Sequence, residues 1–150
     1  MILAQRIICI SLLTAGIVIG LIAVCRISLL AGLIYGLLTL IGLAIINFSF
    51  CTKCTCRHEN CGMIFPGKLT RLWPQKKQSA YNILDYTAIV LSLCLITLYP
   101  QYWLWSDKFL LMLFWLIFVI AHVHIRLAIC RGCENAHCPA LPRKPEVKEA

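Results

Sequence analysis

The cysteines are the residues with the clearest capacity for chemistry, and seven of the ten lie in two short clusters. The first cluster occupies residues 51–61 and the second occupies residues 130–138. Each contains a Cys-x-x-Cys turn, a spacing at which two thiolates can bind the same metal ion. The candidate metal ligands of the two clusters are Cys51, Cys54, Cys56, His58, Cys61, Cys130, Cys133, His137 and Cys138.

Pairing the two Cys-x-x-Cys turns gives a four-thiolate set. Its members are Cys51, Cys54, Cys130 and Cys133. Four thiolates suit tetrahedral Zn²⁺ or a cubane iron–sulfur cluster. The three remaining cluster cysteines and the two histidines would form a second, Cys₃His site, replace a ligand of the first site, or stay unused.

The metal is not decided by spacing alone. Four thiols within the eleven residues of the first cluster favour an iron–sulfur centre, although neither cluster matches the ferredoxin run C-x2-C-x2-C-x3-C-P. For zinc, the two knuckles, one from each cluster, resemble the ligand pattern of a zinc ribbon, and both histidines are available. A third interpretation is metal-free thiol–disulfide chemistry through Cys130 and Cys133.

The composition indicates that these clusters are attached to a membrane domain. The chain has 150 residues, 61% of them hydrophobic and only 13% charged, whereas apolar residues make up roughly half of a soluble domain. Four apolar stretches, at about 7–25, 28–50, 83–105 and 109–129, approach the roughly 20 residues that cross a bilayer. We predict an all-α, integral membrane four-helix bundle over residues 1–139, followed by a disordered tail at 140–150.

The basic residues predict the orientation of this bundle. With four spans, both termini and both cysteine clusters share one face, which carries twelve of the 14 Lys and Arg residues. The positive-inside rule then makes that face cytoplasmic, so we predict a multi-pass inner-membrane protein with a cytoplasmic cysteine-rich cap. The turn at 25–28 contains no Gly or Pro. If residues 7–50 did not form two complete spans, the clusters would lie on opposite faces.

The loop at 62–80 interleaves apolar and basic residues, and Pro66 and Pro74 divide it into short pieces. This pattern suits a segment lying in the headgroup region of anionic lipid, or an ordinary positive-inside loop. The predicted partners are the bilayer, its anionic headgroups, and a cytoplasmic redox protein or other membrane subunits. Because the basic residues adjoin a membrane, we predict no nucleic-acid binding.

Polar residues beneath the cap form a candidate intramembrane site, because polar side chains within spans are costly. Its members are Asp85, Tyr86, His122, His124 and Arg126. Asp85 would pair with Arg126 or orient a histidine, and a quinone headgroup would fit such donors. The alternative is a structural Asp85–Arg126 pair with interfacial histidines.

Two further patterns are interpreted as packing. Cys9, Cys25 and Cys94 lie alone in apolar stretches, where cysteine buries readily. The Gly-x-x-x-Gly motifs that begin at Gly16 and Gly32 predict close packing of the first helix on the second.

The sequence thus predicts a membrane metal-binding protein, with electron transfer through an iron–sulfur centre to a carrier such as quinone as the leading function. A zinc-stapled scaffold or assembly factor and a thiol–disulfide oxidoreductase are the alternatives. The chain contains no catalytic triad, P-loop or dinucleotide fingerprint, so no enzymatic reaction is assigned.

Overall fold

The computed structural model describes residues 2–53 and 81–130, which are helical and contain no strand. The loop at 62–80, the predicted tail and most of both cysteine clusters lie outside these residues. In chain order, the elements are α1 (Ile2–Cys25), α2 (Leu29–Ser49), a 3₁₀ turn (Cys51–Lys53), α3 (Ile83–Leu98), α4 (Gln101–Leu104), α5 (Lys108–His124) and a π-helical turn (Ile125–Ile129).

Four helical segments are long and apolar enough to cross a membrane, which confirms the predicted number. They are Ala4–Cys25, Leu29–Lys53, Ile83–Leu104 and Lys108–Ala128, and we call them the first to fourth spans. Their bounds differ from the predicted ones by only a few residues. The third span joins α3 to α4 across Pro100, which has no N–H to donate to the preceding turn.

The tight first turn does form, and residues 7–50 make two complete helices. The Ser28 N–H donates to the Val24 carbonyl at 3.1 Å, and the Ser28 hydroxyl accepts the N–H three residues later, capping α2. Gly32 gives the returning helix room, because a Cβ there would overlap the Cys25 Sγ.

The bundle has two distinct ends. At the short-turn end, the two brief connections lie together, with the Arg26 guanidinium 3.8 Å from the Asp107 carboxylate. At the other end, Lys53 pairs with Asp85, and the first span packs against the π-helical turn that leads to Cys130. We call this the cysteine end, because both clusters begin there.

Neighbouring spans form a chain of interfaces rather than a closed ring. The second span packs extensively on the third, the first on the fourth, and the first on the second. Within the described residues, α3 and α5 form no such interface. The third and fourth spans are instead joined at the short-turn end, where the Trp115 Nε1–H donates to the Gln101 Oε1 at 3.1 Å.

The interface between the first and fourth spans is apolar and tightly packed. A Cβ on Gly16 would lie 2.6 Å from the Phe118 ring, and one on Gly20 would lie 3.3 Å from Phe114 and 2.9 Å from the Tyr35 hydroxyl. The predicted packing of the first helix on the second does occur, with Gly20 beside Tyr35 and Gly32 beside Cys25. The first glycine motif also accommodates aromatic rings of the fourth span, which the sequence pattern did not identify.

The interface between the second and third spans is polar. Tyr35 is fully buried, and its hydroxyl donates to the Ile96 carbonyl at 3.0 Å. That carbonyl would normally accept the N–H of residue 100, which is proline. All the buried polar or charged residues of the described chain belong to these two spans: Thr39, Asn47, Ser49, Thr52, Asp85 and Ser92.

Candidate metal centre

The structure brings the starts of both cysteine clusters to the same end of the bundle. Cys51 begins the 3₁₀ turn that closes the second span, and Cys130 directly follows the π-helical turn of the fourth. The other candidate ligands, Cys54, Cys56, His58, Cys61, Cys133, His137 and Cys138, lie outside the described residues. Within residues 2–53 and 81–130, no group of three or more His, Cys, Asp or Glu side chains could hold a metal ion.

Residues 51–53 are the described part of the first Cys-x-x-Cys turn, and a side-chain hydrogen bond ties them to the second span. Thr52 is fully buried, and its hydroxyl donates to the Phe48 carbonyl at 2.6 Å. Cys51, one residue earlier, is half-buried. The turn therefore continues the second span rather than leaving it as a loose loop.

Lys53, the residue that precedes Cys54, is anchored to the third span. Its ammonium group donates to the Asp85 carboxylate, and the two side chains are only 8% and 11% exposed. The same carboxylate oxygen accepts the Asn82 N–H at 2.9 Å, at the start of α3. An ion pair buried this deeply requires both members, because either charge left alone would be strongly destabilising.

This ion pair corrects the prediction that Asp85 pairs with Arg126. The third span packs on the second, so the carboxylate meets a cation from the second span. Arg126 is exposed on the fourth span. The sequence pointed to a costly carboxylate near the interface, but it contained no signal for which span lies beside it.

Aromatic rings join the point where the chain leaves the second span to the point where it enters the third. Tyr81 stacks on Phe50 with ring centroids 4.5 Å apart, and its hydroxyl lies 3.4 Å from the Phe50 carbonyl. The Tyr86 ring meets Tyr81 edge-on at 6.4 Å. Tyr86 thus belongs to an aromatic cluster beside the first cysteine turn, although its side chain is largely exposed.

The three polar residues of the fourth span do not point in one direction. His122 and Arg126 are exposed, whereas His124 is partly buried. The His124 Nδ1 is buried and has no hydrogen-bond partner among the described residues. The predicted intramembrane site is therefore dispersed, with Asp85 and Tyr86 on the second–third side and only His124 directed partly inward.

The isolated cysteines differ in burial. Cys9 of the first span is fully buried, and the first span packs against the π-helical turn that leads to Cys130, which is only 8% exposed. Cys25 lies at the short-turn end, and Cys94 is exposed on the third span. The burial expected of lone cysteines in apolar helices is therefore seen at Cys9 and not at Cys94.

Comparisons of the chain with protein-family models, curated proteins and solved structures found no match. The residues and their geometry are thus the basis for assigning a function.

Proposed function

We propose that the protein is an integral membrane protein whose two cysteine clusters jointly bind a metal centre at the cytoplasmic surface. The surface of the four spans supports the membrane setting. Only 11–28% of each apolar window is buried within the bundle, and leucines such as Leu30 and Leu40 are 70% and 67% exposed. Such a continuous apolar surface needs lipid around it.

The proposed orientation follows from the number of basic residues at each end of the bundle. Arg26 and Lys108 are the basic residues of the short-turn end, and the other twelve belong to the cysteine end or to segments continuous with it. By the positive-inside rule, the cysteine end faces the cytoplasm. Thiols there stay reduced and available to metal, because structural disulfides rarely persist in that compartment.

One observation carries the metal-site proposal: Cys51 and Cys130 terminate helices at the same end of the bundle. Each Cys-x-x-Cys turn supplies two thiolates, and a closed tetrahedral site needs four. The two turns together, with Cys54 and Cys133, provide that number. A shared centre would also connect the second span to the fourth, which do not pack extensively on each other within the described residues.

The form of the centre that we propose is an iron–sulfur cluster that exchanges electrons between a cytoplasmic redox protein and a lipid-soluble carrier such as quinone. The dense thiols of the first cluster suit such a centre. A metal at the membrane surface is also well placed to reach a carrier dissolved in the bilayer.

A zinc-stapled scaffold is the second candidate, and the dispersed polar residues favour it. Asp85 is engaged by Lys53, and His122 and Arg126 are exposed. A quinone site would need several of these groups to converge. Zinc needs none of them, since it would only fasten the two turns together and thereby stabilise the bundle.

Anaerobic purification in detergent, followed by metal analysis and visible spectroscopy, tests the proposal. Iron with broad visible absorbance supports the electron-transfer form, and stoichiometric zinc without colour supports the scaffold. The absence of both metals would overturn the metal site and favour thiol–disulfide chemistry.

Mutation of one cysteine in each turn tests whether the centre is shared. We expect Cys51→Ser and Cys130→Ser each to abolish the same centre, with no further loss in the double variant. Cys94→Ser is the matched control, because Cys94 is exposed on the third span, and it should retain full metal content. Partial losses that add in the double variant would show two separate sites.

A further inference from the structure

The third and fourth spans are joined near the short-turn end and separate toward the cysteine end. The join is the hydrogen bond from the Trp115 Nε1–H to the Gln101 Oε1, at 3.1 Å. Beyond it, within the described residues, α3 and α5 do not pack extensively on each other. The space between the two spans is therefore a wedge, closed at the short-turn end and open at the cysteine end.

The fourth span lines this wedge with two basic residues, His122 and Arg126, which we call the basic stripe. They follow Trp115 by 7 and 11 residues, which on an α-helix sets both within about 20° of the Trp115 direction. Both side chains are exposed. Arg126 also lies about 16 Å along the helix axis from Trp115, close to half of the roughly 30 Å hydrocarbon core. The wedge is thus about as deep as one leaflet of a bilayer.

The third span contributes an apolar groove at the same depth. The groove has a volume of about 460 Å³, and its lining residues are Tyr86, Thr87, Val90, Leu91 and Cys94. Cys94 and Val90 precede Gln101 by 7 and 11 residues. The chain keeps helical φ and ψ through Pro100, so the groove lies on the same side of the span as Gln101. Because the two spans are antiparallel, the groove is level with the basic stripe.

The described part of the chain offers no carboxylate to the basic stripe. Its acidic residues are Asp85 and Asp107. Asp85 pairs with Lys53 of the second span, and Asp107 lies at the short-turn end beside Arg26. The guanidinium of Arg126 therefore places a positive charge at the mouth of an apolar groove, which is the complement of a molecule with an anionic head and an apolar chain.

From this arrangement we propose that the wedge binds one anionic phospholipid of the leaflet at the cysteine end. The lipid phosphate accepts hydrogen bonds from the Arg126 guanidinium and the His122 ring, and an acyl chain lies in the groove of the third span. A guanidinium can donate two parallel N–H bonds to a phosphate, and basic pockets between spans suit acidic headgroups. The inference rests on the membrane setting of the proposed function, but not on its metal centre.

Lipid retention by the full-length protein in detergent tests the headgroup contact. Native mass spectrometry would count bound phosphatidylglycerol and, separately, bound phosphatidylcholine. We expect the wild type to retain one phosphatidylglycerol in preference to phosphatidylcholine. Arg126→Gln should weaken this binding about fivefold, the factor that one arginine near the surface contributes toward anionic lipid. Arg126→Lys should keep most of the preference, and Lys108→Gln, at the short-turn end, should keep all of it.

Filling the groove tests the acyl-chain contact. Cys94→Trp places a large ring in the groove and should weaken phosphatidylglycerol retention several-fold, although it changes no charge. Leu93→Trp is the matched control, because Leu93 is 47% exposed on the third span but does not line the groove. Circular dichroism would verify that all variants are folded. Unchanged retention in either Cys94→Trp or Arg126→Gln would overturn the proposal, since a lipid in the wedge requires both contacts.

Metal analysis of the same samples separates this inference from the proposed function. A wild-type protein that binds metal but shows no preference between the two lipids would overturn the inference alone. A protein that stays in solution without detergent and does not enter phosphatidylglycerol vesicles would overturn the membrane setting, and the inference with it. A lipid preference that Arg126→Gln and Cys94→Trp both remove, in a protein without metal, would confirm the lipid site and overturn the metal centre.

Discussion

The two main interfaces of the bundle use opposite means to hold pairs of spans together. Between the first and fourth spans, glycines receive aromatic rings, as where Phe118 covers Gly16. Between the second and third, buried polar groups meet, including the Lys53–Asp85 pair and the Tyr35 hydroxyl on the Ile96 carbonyl. In lipid, close packing and polar contacts both stabilise helix pairs, since apolar surface alone gives no preference for a neighbour.

This difference separates two kinds of specificity. A glycine groove selects its partner by shape, so any ring of suitable size and position could fill it. A buried carboxylate selects its partner by charge, and a wrong neighbour would leave it unpaired at a cost of several kcal/mol. The polar interface therefore fixes the position of the first cysteine turn, whereas the apolar interface sets how closely the first and fourth spans approach.

The largest expected effect comes from neutralising the buried carboxylate. Asp85→Asn keeps the shape of the side chain but leaves the Lys53 ammonium uncompensated at 8% exposure. We expect a loss of about 3–5 kcal/mol in the free energy of unfolding, measured in mixed micelles. Asp107→Asn is the matched control, because the Arg26–Asp107 pair is 63% and 43% exposed, and its loss should be at most about 1 kcal/mol.

A double-mutant cycle tests whether Lys53 or Arg126 is the partner of Asp85. Lys53→Met and Asp85→Asn should be strongly coupled, whereas Arg126→Gln and Asp85→Asn should have additive effects. Strong coupling of Asp85 to Arg126 instead would show that the third span meets the fourth, contrary to the interface described above.

An intermediate effect is expected when the glycine groove is filled. Gly16→Val should destabilise the bundle by about 1–3 kcal/mol, because its side chain would overlap the Phe118 ring. Gly36→Val is the control, since nothing lies within 4 Å of a Cβ there. Thermal unfolding in detergent would measure both, and Phe118→Leu should partly restore the Gly16→Val variant. Equal destabilisation by the two glycine variants would mean that the groove does not select the fourth span.

The smallest effect should come from Tyr35→Phe. This change removes the hydroxyl that donates to the Ile96 carbonyl, which Pro100 leaves without its usual helical donor, and we expect a loss of about 1 kcal/mol. Tyr102→Phe is the control, because Tyr102 is 82% exposed. The same unfolding assay applies, and a neutral Tyr35→Phe would mean that the hydrogen bond to the Ile96 carbonyl does not stabilise this interface.

The sequence was sufficient to predict the four apolar helices and their approximate ends, because an apolar helix of some 20 residues matches the thickness of a bilayer. It also anticipated that Cys51 and Cys130 would lie at one end, since an even number of crossings separates them. The sequence could not identify which spans pack on each other. The partner of Asp85 and the rings that fill the Gly16 groove both depend on which spans pack side by side. The π-helical turn has no signature in the residues at 125–129, and it changes the face on which Cys130 lies.

The pairing of the first span with the fourth has a consequence for how the protein is made. Under the proposed membrane topology, the second and third spans can associate as soon as the third is inserted, bringing Asp85 to Lys53. The glycine face of the first span must wait for Phe114 and Phe118, because they belong to the fourth span. During that interval the groove would be open to lipid or to a helix of another protein. The proposed topology thus implies an exposed intermediate during biogenesis, which ends when the fourth span is inserted.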